Sequence, residues 1–252
     1  MARNSKRYQL IDEYRGFVVV NMILFHLIWD FIHIYHKNWD WLYFTDHKAW
    51  QIFIGGSFIF ISGLCFKMGT QPFKRGLIVF LLGIVITLFT SCFMPSTKIV
   101  FGVLTLLGTC MLLMIPLSKL LRRIKPWMGL LISIALFLFT FGINDGYFGI
   151  PDYKLFDVPS NWYANIVTTF LGFPEPDFFS TDYYSFFPWF FLYLVGYFSH
   201  PLLTKGRKRR KVLSFSICPP LGYVGRHALL IYLLHQPIIY GVLLACSKIG
   251  LL

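Results

Sequence analysis

Tyr14-Arg-Gly-Phe-Val-Val-Val-Asn-Met-Ile-Leu-Phe-His-Leu-Ile-Trp-Asp-Phe-Ile-His-Ile-Tyr35 decides the fold class. A bilayer core is about 30 Å thick and needs about 20 apolar residues per helix. This run is that long, yet it carries Arg15, His26, Asp30 and His33. Six further stretches have similar length and apolar content: 49–67, 76–95, 99–118, 126–144, 186–204 and 221–245. Most end at a Lys/Arg cluster or a Gly/Pro signal. Pro126 opens one of them, at a position where its missing N–H costs a helix little. The expectation is an all-α, polytopic transmembrane helix bundle of about seven spans. It forms a single domain over residues 1–252, with an extracytoplasmic loop at 145–185.

Composition agrees. Of 252 residues, 13% are charged and 56% hydrophobic, whereas a soluble domain is about 25% charged. Mean hydropathy is +0.63. Disorder is excluded, because it requires low hydrophobicity. Cys65, Cys92, Cys110, Cys218 and Cys246 are scattered, so neither a disulfide scaffold nor a metal site is expected. A net charge of +12 would suit a nucleic-acid binder only if the cations shared one soluble face.

The cations do not share such a face; they sort by loop. Arg3, Lys6 and Arg7 precede the first span, and Lys67, Lys74 and Arg75 follow the second. Lys119, Arg122, Arg123 and Lys125 follow the fourth. Lys205, Arg207, Lys208, Arg209, Arg210 and Lys211 follow the sixth. The alternate loops hold Lys37, Lys48, Lys98, Lys154 and Lys248, with most of the acids, including Asp40, Asp46, Asp145 and Asp182. The positive-inside rule then puts the N-terminus in the cytoplasm and the C-terminus outside. Nucleic acid drops out as a partner; the lipid bilayer takes its place. Segment 145–185 breaks the rhythm and reads as a lid or hairpin, with a short interfacial helix within 160–173.

A charge at membrane depth costs a few kcal/mol and usually faces a cavity or marks function. At 100° per residue, Arg15, His26, Asp30 and His33 fall on one stripe of the first helix. His26 stands roughly 16 Å above Arg15 at about 1.5 Å per residue. Asp30 is spaced to accept a hydrogen bond from the His26 ring, fixing its tautomer and raising its basicity. The same pair would also serve simply to join helices. In the last span, Arg226 and His227 lie near the start, and His235, Gln236 and Pro237 lie deep. Asp182 stands at the edge of an apolar span, in the aromatic stretch Ser180–Trp189. No phosphate-binding glycine loop, H-E-x-x-H or G-x-S-x-G motif is present.

Asp12-Glu-Tyr-Arg15-Gly16, followed by Phe25-His26, resembles the first-helix signature of transmembrane acyltransferases, a D-x-x-R-G motif with a His eleven residues after the Arg. Four ordered blocks narrow the likeness: Phe25-His-Leu-Ile-Trp-Asp30, Ile99-Val-Phe-Gly-Val-Leu104, Asp182-Tyr-Tyr-Ser-Phe-Phe-Pro-Trp189 and Leu230-Ile-Tyr-Leu-Leu-His-Gln-Pro237. They are similar to bacterial proteins related to the catalytic domain of heparan-α-glucosaminide N-acetyltransferase. One departure is Thr105, where such proteins often carry His.

The resemblance implies a bacterial inner-membrane enzyme. It would move acetyl from cytosolic acetyl-CoA to an amino or hydroxyl acceptor outside, an amino sugar or other glycan. His26 matches the family's His. With Asp30 it would act as general base or transient acetyl carrier. Arg15, Arg75 and Arg226 are candidates for the CoA phosphates, because arginine's fork binds phosphate in a bidentate way. His235, Gln236, Asp182 and Asp12 are candidates for the acceptor. A competing reading is a proton-coupled transporter or channel using the His/Asp stripe. The apolar outer faces permit a homodimer.

Overall fold

The computed structural model describes residues 8–33 and 47–249, apart from the His33 side chain. Arg3, Lys6, Arg7, His36, Lys37, Asp40 and Asp46 lie outside the described residues. Among the described residues, seven helical segments are long and apolar enough to cross a membrane. They run along α1 (Gln9–His33), α2 (His47–Cys65), α3 (Pro72–Phe93), α4 (Val103–Leu121), α5 (Pro126–Thr140), α7 (Phe186–Thr204) and α10 (Ala228–Lys248), the second continuing to Met68 and the fifth to Asp145. Between them lie three short helices, α6 (Ile166–Leu171), α8 (Arg207–Leu213) and α9 (Pro219–Arg226), and the hairpin β1 (Tyr147–Ile150) and β2 (Tyr153–Asp157). The chain is thus an integral membrane protein of all-α type carrying one small hairpin. Two helix starts follow local chemistry: Pro72 opens α3 and Pro126 opens α5, each in the first turn.

The span expected at 14–35 is helical over Gln9–His33 and that at 76–95 over Pro72–Phe93, and two others change for a visible local reason. The stretch 99–118 becomes helical only at Val103, because Phe101 turns the chain at φ 56° and Gly102 caps the helix. The apolar run 221–245 splits at His227, whose backbone (φ −104°, ψ 15°) leaves the helical region, giving α9 and then α10.

The chain divides into two compact units, residues 1–58 with 204–252 and residues 59–203. In the first, α9 lies against α1 through glycines. A Cβ on Gly16 would meet the Leu221 carbonyl oxygen at 1.9 Å, and one on Gly225 would meet the Asp12 carbonyl oxygen at 1.8 Å. Small residues permit this backbone approach, and it explains the split: α9 is held sideways on α1 rather than continuing the last span. Val18, Val19 and Met22 fill the interior of this unit.

The second unit uses the same device. A Cβ on Gly63 would meet the Tyr193 carbonyl oxygen at 2.0 Å, and one on Gly108 would meet the Phe80 nitrogen at 2.4 Å. Ile59, Ile61, Leu106, Met114, Tyr193 and Tyr197 are its buried side chains. The outward faces of α3 and α5 are apolar, with Leu81, Val85, Leu88, Leu131 and Ile132 exposed, as lipid contact requires. Within the first turn of α7, Phe187 is extended and its bond to Pro188 is cis.

The long loop contains the hairpin, paired antiparallel with a bulge at Gly149 (φ 116°). It also contains α6, whose Asn165 side chain accepts from the Val167 and Thr168 N–H groups while Thr168 reciprocates. The predicted interfacial helix within 160–173 is therefore the single turn-and-a-half 166–171. Tyr163 donates its phenol to the Ile143 carbonyl, and Tyr183 donates to the Thr169 carbonyl at 2.5 Å. Burial pushes both phenols above the ordinary tyrosine range, so they remain donors.

Candidate functional site

In the first unit, α1 carries His26 and, one turn on, Asp30, while α10 brings His235 and Gln236 to them. The His26 and His235 rings lie 4.8 Å apart between centroids, tilted by 56°. Gln236 Nε2 donates to Asp30 Oδ2 at 2.8 Å, and Asp30 is only 2% exposed. An ionised carboxylate accepts only, so the Gln236 amide must face it nitrogen first. That turns Gln236 Oε1 away, and Oε1 is buried without a partner.

His235 is fixed by a similar argument. Its Nδ1 lies 2.6 Å from the Tyr232 carbonyl oxygen. A carbonyl can only accept, so Nδ1 carries the proton, and in the neutral ring Nε2 carries the lone pair. Nε2 is also buried without a partner. Two acceptor atoms on adjacent residues thus stand buried and unsatisfied beside His26. Buried polar atoms are rarely left so, and each such exception calls for an explanation. What would satisfy both is an incoming N–H or O–H donor.

Aromatic rings wall this place. Phe25 meets His26 edge-on at 5.6 Å and Trp50 at 5.4 Å, and Trp50 Nε1 donates to Asn21 Oδ1 at 3.2 Å. Phe58 meets Tyr232 edge-on at 6.3 Å.

The start of α1 holds a second polar group. Arg15 Nη1 pairs with Asp12 Oδ1 at 2.9 Å and reaches the Gly225 carbonyl at 3.4 Å. The two residues fasten α9 to α1 here. Glu13 sits beside them, buried. Its carboxylate accepts from the Ser216 hydroxyl and from the Ile217 N–H at 3.2 and 2.9 Å, holding the chain just before α9. Sequence reasoning left Glu13 without a role. The available signal was the turn Ser216-Ile-Cys-Pro-Pro220, whose backbone N–H groups need an acceptor.

The remaining candidates have contacts of their own. Arg226 is exposed at the end of α9, its guanidinium 5.7 Å from the Tyr223 ring centroid. Asp182 belongs to the second unit, where its Oδ2 accepts from the Val103 N–H at 3.2 Å and so caps α4. Arg75, also in that unit, is exposed near the start of α3, and its guanidinium occupies the space a Cβ on Gly69 would take. Among the described residues, no three His, Cys, Asp or Glu side chains gather as a metal site.

A family model for the catalytic region of heparan-α-glucosaminide N-acetyltransferase matches residues 7–237 of this chain. No curated protein and no solved structure matches it significantly.

Proposed function

The chain belongs to the heparan-α-glucosaminide N-acetyltransferase catalytic family, and from that premise we propose that it moves an acetyl group from cytosolic acetyl-CoA to an amino or hydroxyl group of a glycan or amino sugar beyond the membrane. The observation that carries the proposal is the pair of buried, unsatisfied acceptors, His235 Nε2 and Gln236 Oε1, beside the His26 ring. An amine presents two N–H donors and one lone pair. Donated to these two atoms, its hydrogens fix the direction of the lone pair.

In the proposed reaction His26 takes the proton released as the acceptor's nitrogen or oxygen bonds to the acetyl carbon. The carbon–sulfur bond of the thioester breaks and the sulfur leaves as thiolate, which is then protonated. Asp30 acts through Gln236, holding its carbonyl toward the acceptor. Should the acetyl group first rest on a histidine nitrogen, the same residues serve the second half of the exchange. The distribution of cations supports an orientation with the N-terminus in the cytoplasm, and the likeness to bacterial proteins favours a bacterial inner membrane.

The paired imidazoles also favour a second reading, proton-coupled transport. One experiment separates the two. Purified protein in sealed liposomes loaded with glucosamine is given acetyl-labelled CoA on the outside. Labelled N-acetylglucosamine with free CoA is the expected product, and His26→Ala abolishes it without loss of fold. Unchanged turnover in that variant would sink the assignment; proton flux without acetyl transfer would favour the transporter.

A further inference from the structure

A strongly charged surface of the first unit takes no part in the site above. Lys205, Arg207, Lys208, Arg209, Arg210 and Lys211 crowd into seven residues, and all of them are exposed. No Asp or Glu follows Asp182 in the chain, so this charge has no balancing acid nearby in sequence. At 100° per residue, the cations of α8 point to every side of the helix. Val212, Phe215 and Ile217 come after them and are 57%, 66% and 72% exposed.

Two fastenings set where this surface stands. Only Lys205 and Gly206 separate α8 from the end of the span α7, so α8 starts within about 11 Å of that end. Gly206, at φ 97°, makes the turn, and Arg210 Nε donates to the Thr204 carbonyl at 2.9 Å. On the far side of α8, Glu13 near the start of α1 accepts from Ser216 and Ile217. Each fastening ties the basic helix to the end of a membrane span. By its loop charges this is the side read above as cytoplasmic.

We propose that α8 and the turn after it dock on a leaflet containing anionic phospholipid. The cations take the headgroup phosphates, and Phe215 and Ile217 enter the boundary between headgroups and acyl chains. Charge complementarity selects an anionic occupant, and the apolar pair selects lipid over a soluble polyanion. A nucleic acid would use the cations but leave Phe215 and Ile217 in water. Each cation near an anionic surface contributes about fivefold in affinity. The proposal does not rest on the acetyltransferase reading.

The test places the photo-crosslinker p-benzoylphenylalanine at Phe215 of the full chain, in nanodiscs of equal phosphatidylcholine and phosphatidylglycerol. The same crosslinker at Leu88, on the lipid-facing side of α3, reports the bulk lipid ratio. Adducts are identified by mass spectrometry. At position 215 the expected adducts are phospholipid, with phosphatidylglycerol favoured about tenfold or more over the Leu88 reference. Salt at 1 M, which shortens the screening length to about 3 Å, should remove most of that preference. Arg207→Gln, Lys208→Gln and Lys211→Gln combined change only exposed side chains. They should return the lipid ratio at 215 to the bulk value while the melting temperature holds. The proposal is overturned if position 215 yields no lipid adduct, or if its lipid ratio equals that at Leu88 in the wild type. It is overturned equally if the neutralised variant, still folded, keeps the preference. An added RNA oligonucleotide that replaces lipid in the adducts would assign the surface to nucleic acid instead.

Discussion

Gln236 donates its side-chain amide to Asp30 across 2.8 Å, joining α10 to α1 at the depth of the two histidines. The bond sets which way Gln236 Oε1 faces. Asp30→Asn removes the charge and lets the amide pair either way round. A hydrogen bond to a charged group contributes about 1.5–3 kcal/mol. The expected result is a fall of about 10–100-fold in kcat/KM for acetyl transfer with little change in fold. Gln236→Leu should lose about as much, and the double variant little more than either single one. Steady-state kinetics on the four proteins checks this: additive losses would mean that the two residues act separately.

His26 and His235 share one space, and their rings are in contact. Removing a positioned general base costs about 10²–10⁴-fold. His26→Ala should lose at least that much. His235→Ala, which leaves His26 in place, should chiefly raise KM for the acceptor, because it removes an acceptor of the substrate's N–H. His235→Gln, which keeps a hydrogen-bonding side chain, should recover part of the affinity. A fall in kcat alone would place His235 in proton transfer instead.

The spans were legible in the sequence because length and apolarity alone set them. The polar stripe of α1 was legible because helical spacing puts His26 and Asp30 one turn apart. Their partners were not. That His235 meets His26, and Gln236 meets Asp30, depends on how α10 packs, and periodicity along one helix carries no such information. The break at His227 was hidden for the same reason: residues 221–245 read as one apolar run, and only contact of Gly225 with the Asp12 backbone separates α9. Glu13 lay in plain view among the few acids, but its partners are some 200 residues away in the chain. The hairpin had a local signal, Pro151-Asp152 between aromatic stretches, within a loop read only as a lid or hairpin.

Gly225 and Gly241 give a controlled comparison on two neighbouring helices. A Cβ at Gly225 would meet the Asp12 carbonyl oxygen at 1.8 Å, whereas one at Gly241 meets nothing within 4 Å. Gly225→Ala must push α9 off α1 and should cost a few kcal/mol. Gly241→Ala should be neutral or slightly stabilising, since alanine is the better helix former by about 1 kcal/mol. Thermal melts in detergent would show a clear drop for the first and none for the second. Equal melting temperatures would mean that the close approach is not kept in the membrane.

Glu13 ties down the residues between the basic helix α8 and α9 through Ser216 and Ile217. Glu13→Ala leaves that turn's donors unsatisfied. Limited trypsin digestion should then cut at Arg207–Lys211 several-fold faster than in the wild type, while the melting temperature of the bundle changes less. Equal cleavage rates would show that α8 is held by other contacts.

The long loop should respond to pH in one direction only. Burial pushes the phenols of Tyr183 and Tyr184 above the ordinary tyrosine range; the nearby Asp182 carboxylate adds to the effect at Tyr184. Tyr163 is shifted the same way, by burial and then by Asp145. A raised folded-state value means that folding favours the protonated phenol. The stability this contributes is fully present below the unfolded tyrosine value of about 10 and is lost as pH rises beyond it. Between pH 6 and 9 these phenols therefore impose no pH dependence, and the donor bonds from Tyr163 and Tyr183 persist. Hydrogen-exchange protection factors of residues 143–185, taken relative to the base-catalysed intrinsic rate at each pH, should stay flat over that range and fall only in strongly alkaline buffer. Tyr183→Phe removes the donor to the Thr169 carbonyl, so exchange around α6 should be faster at every pH. Loosening of the wild-type loop as pH falls from 9 to 6 would contradict the sign of all three shifts.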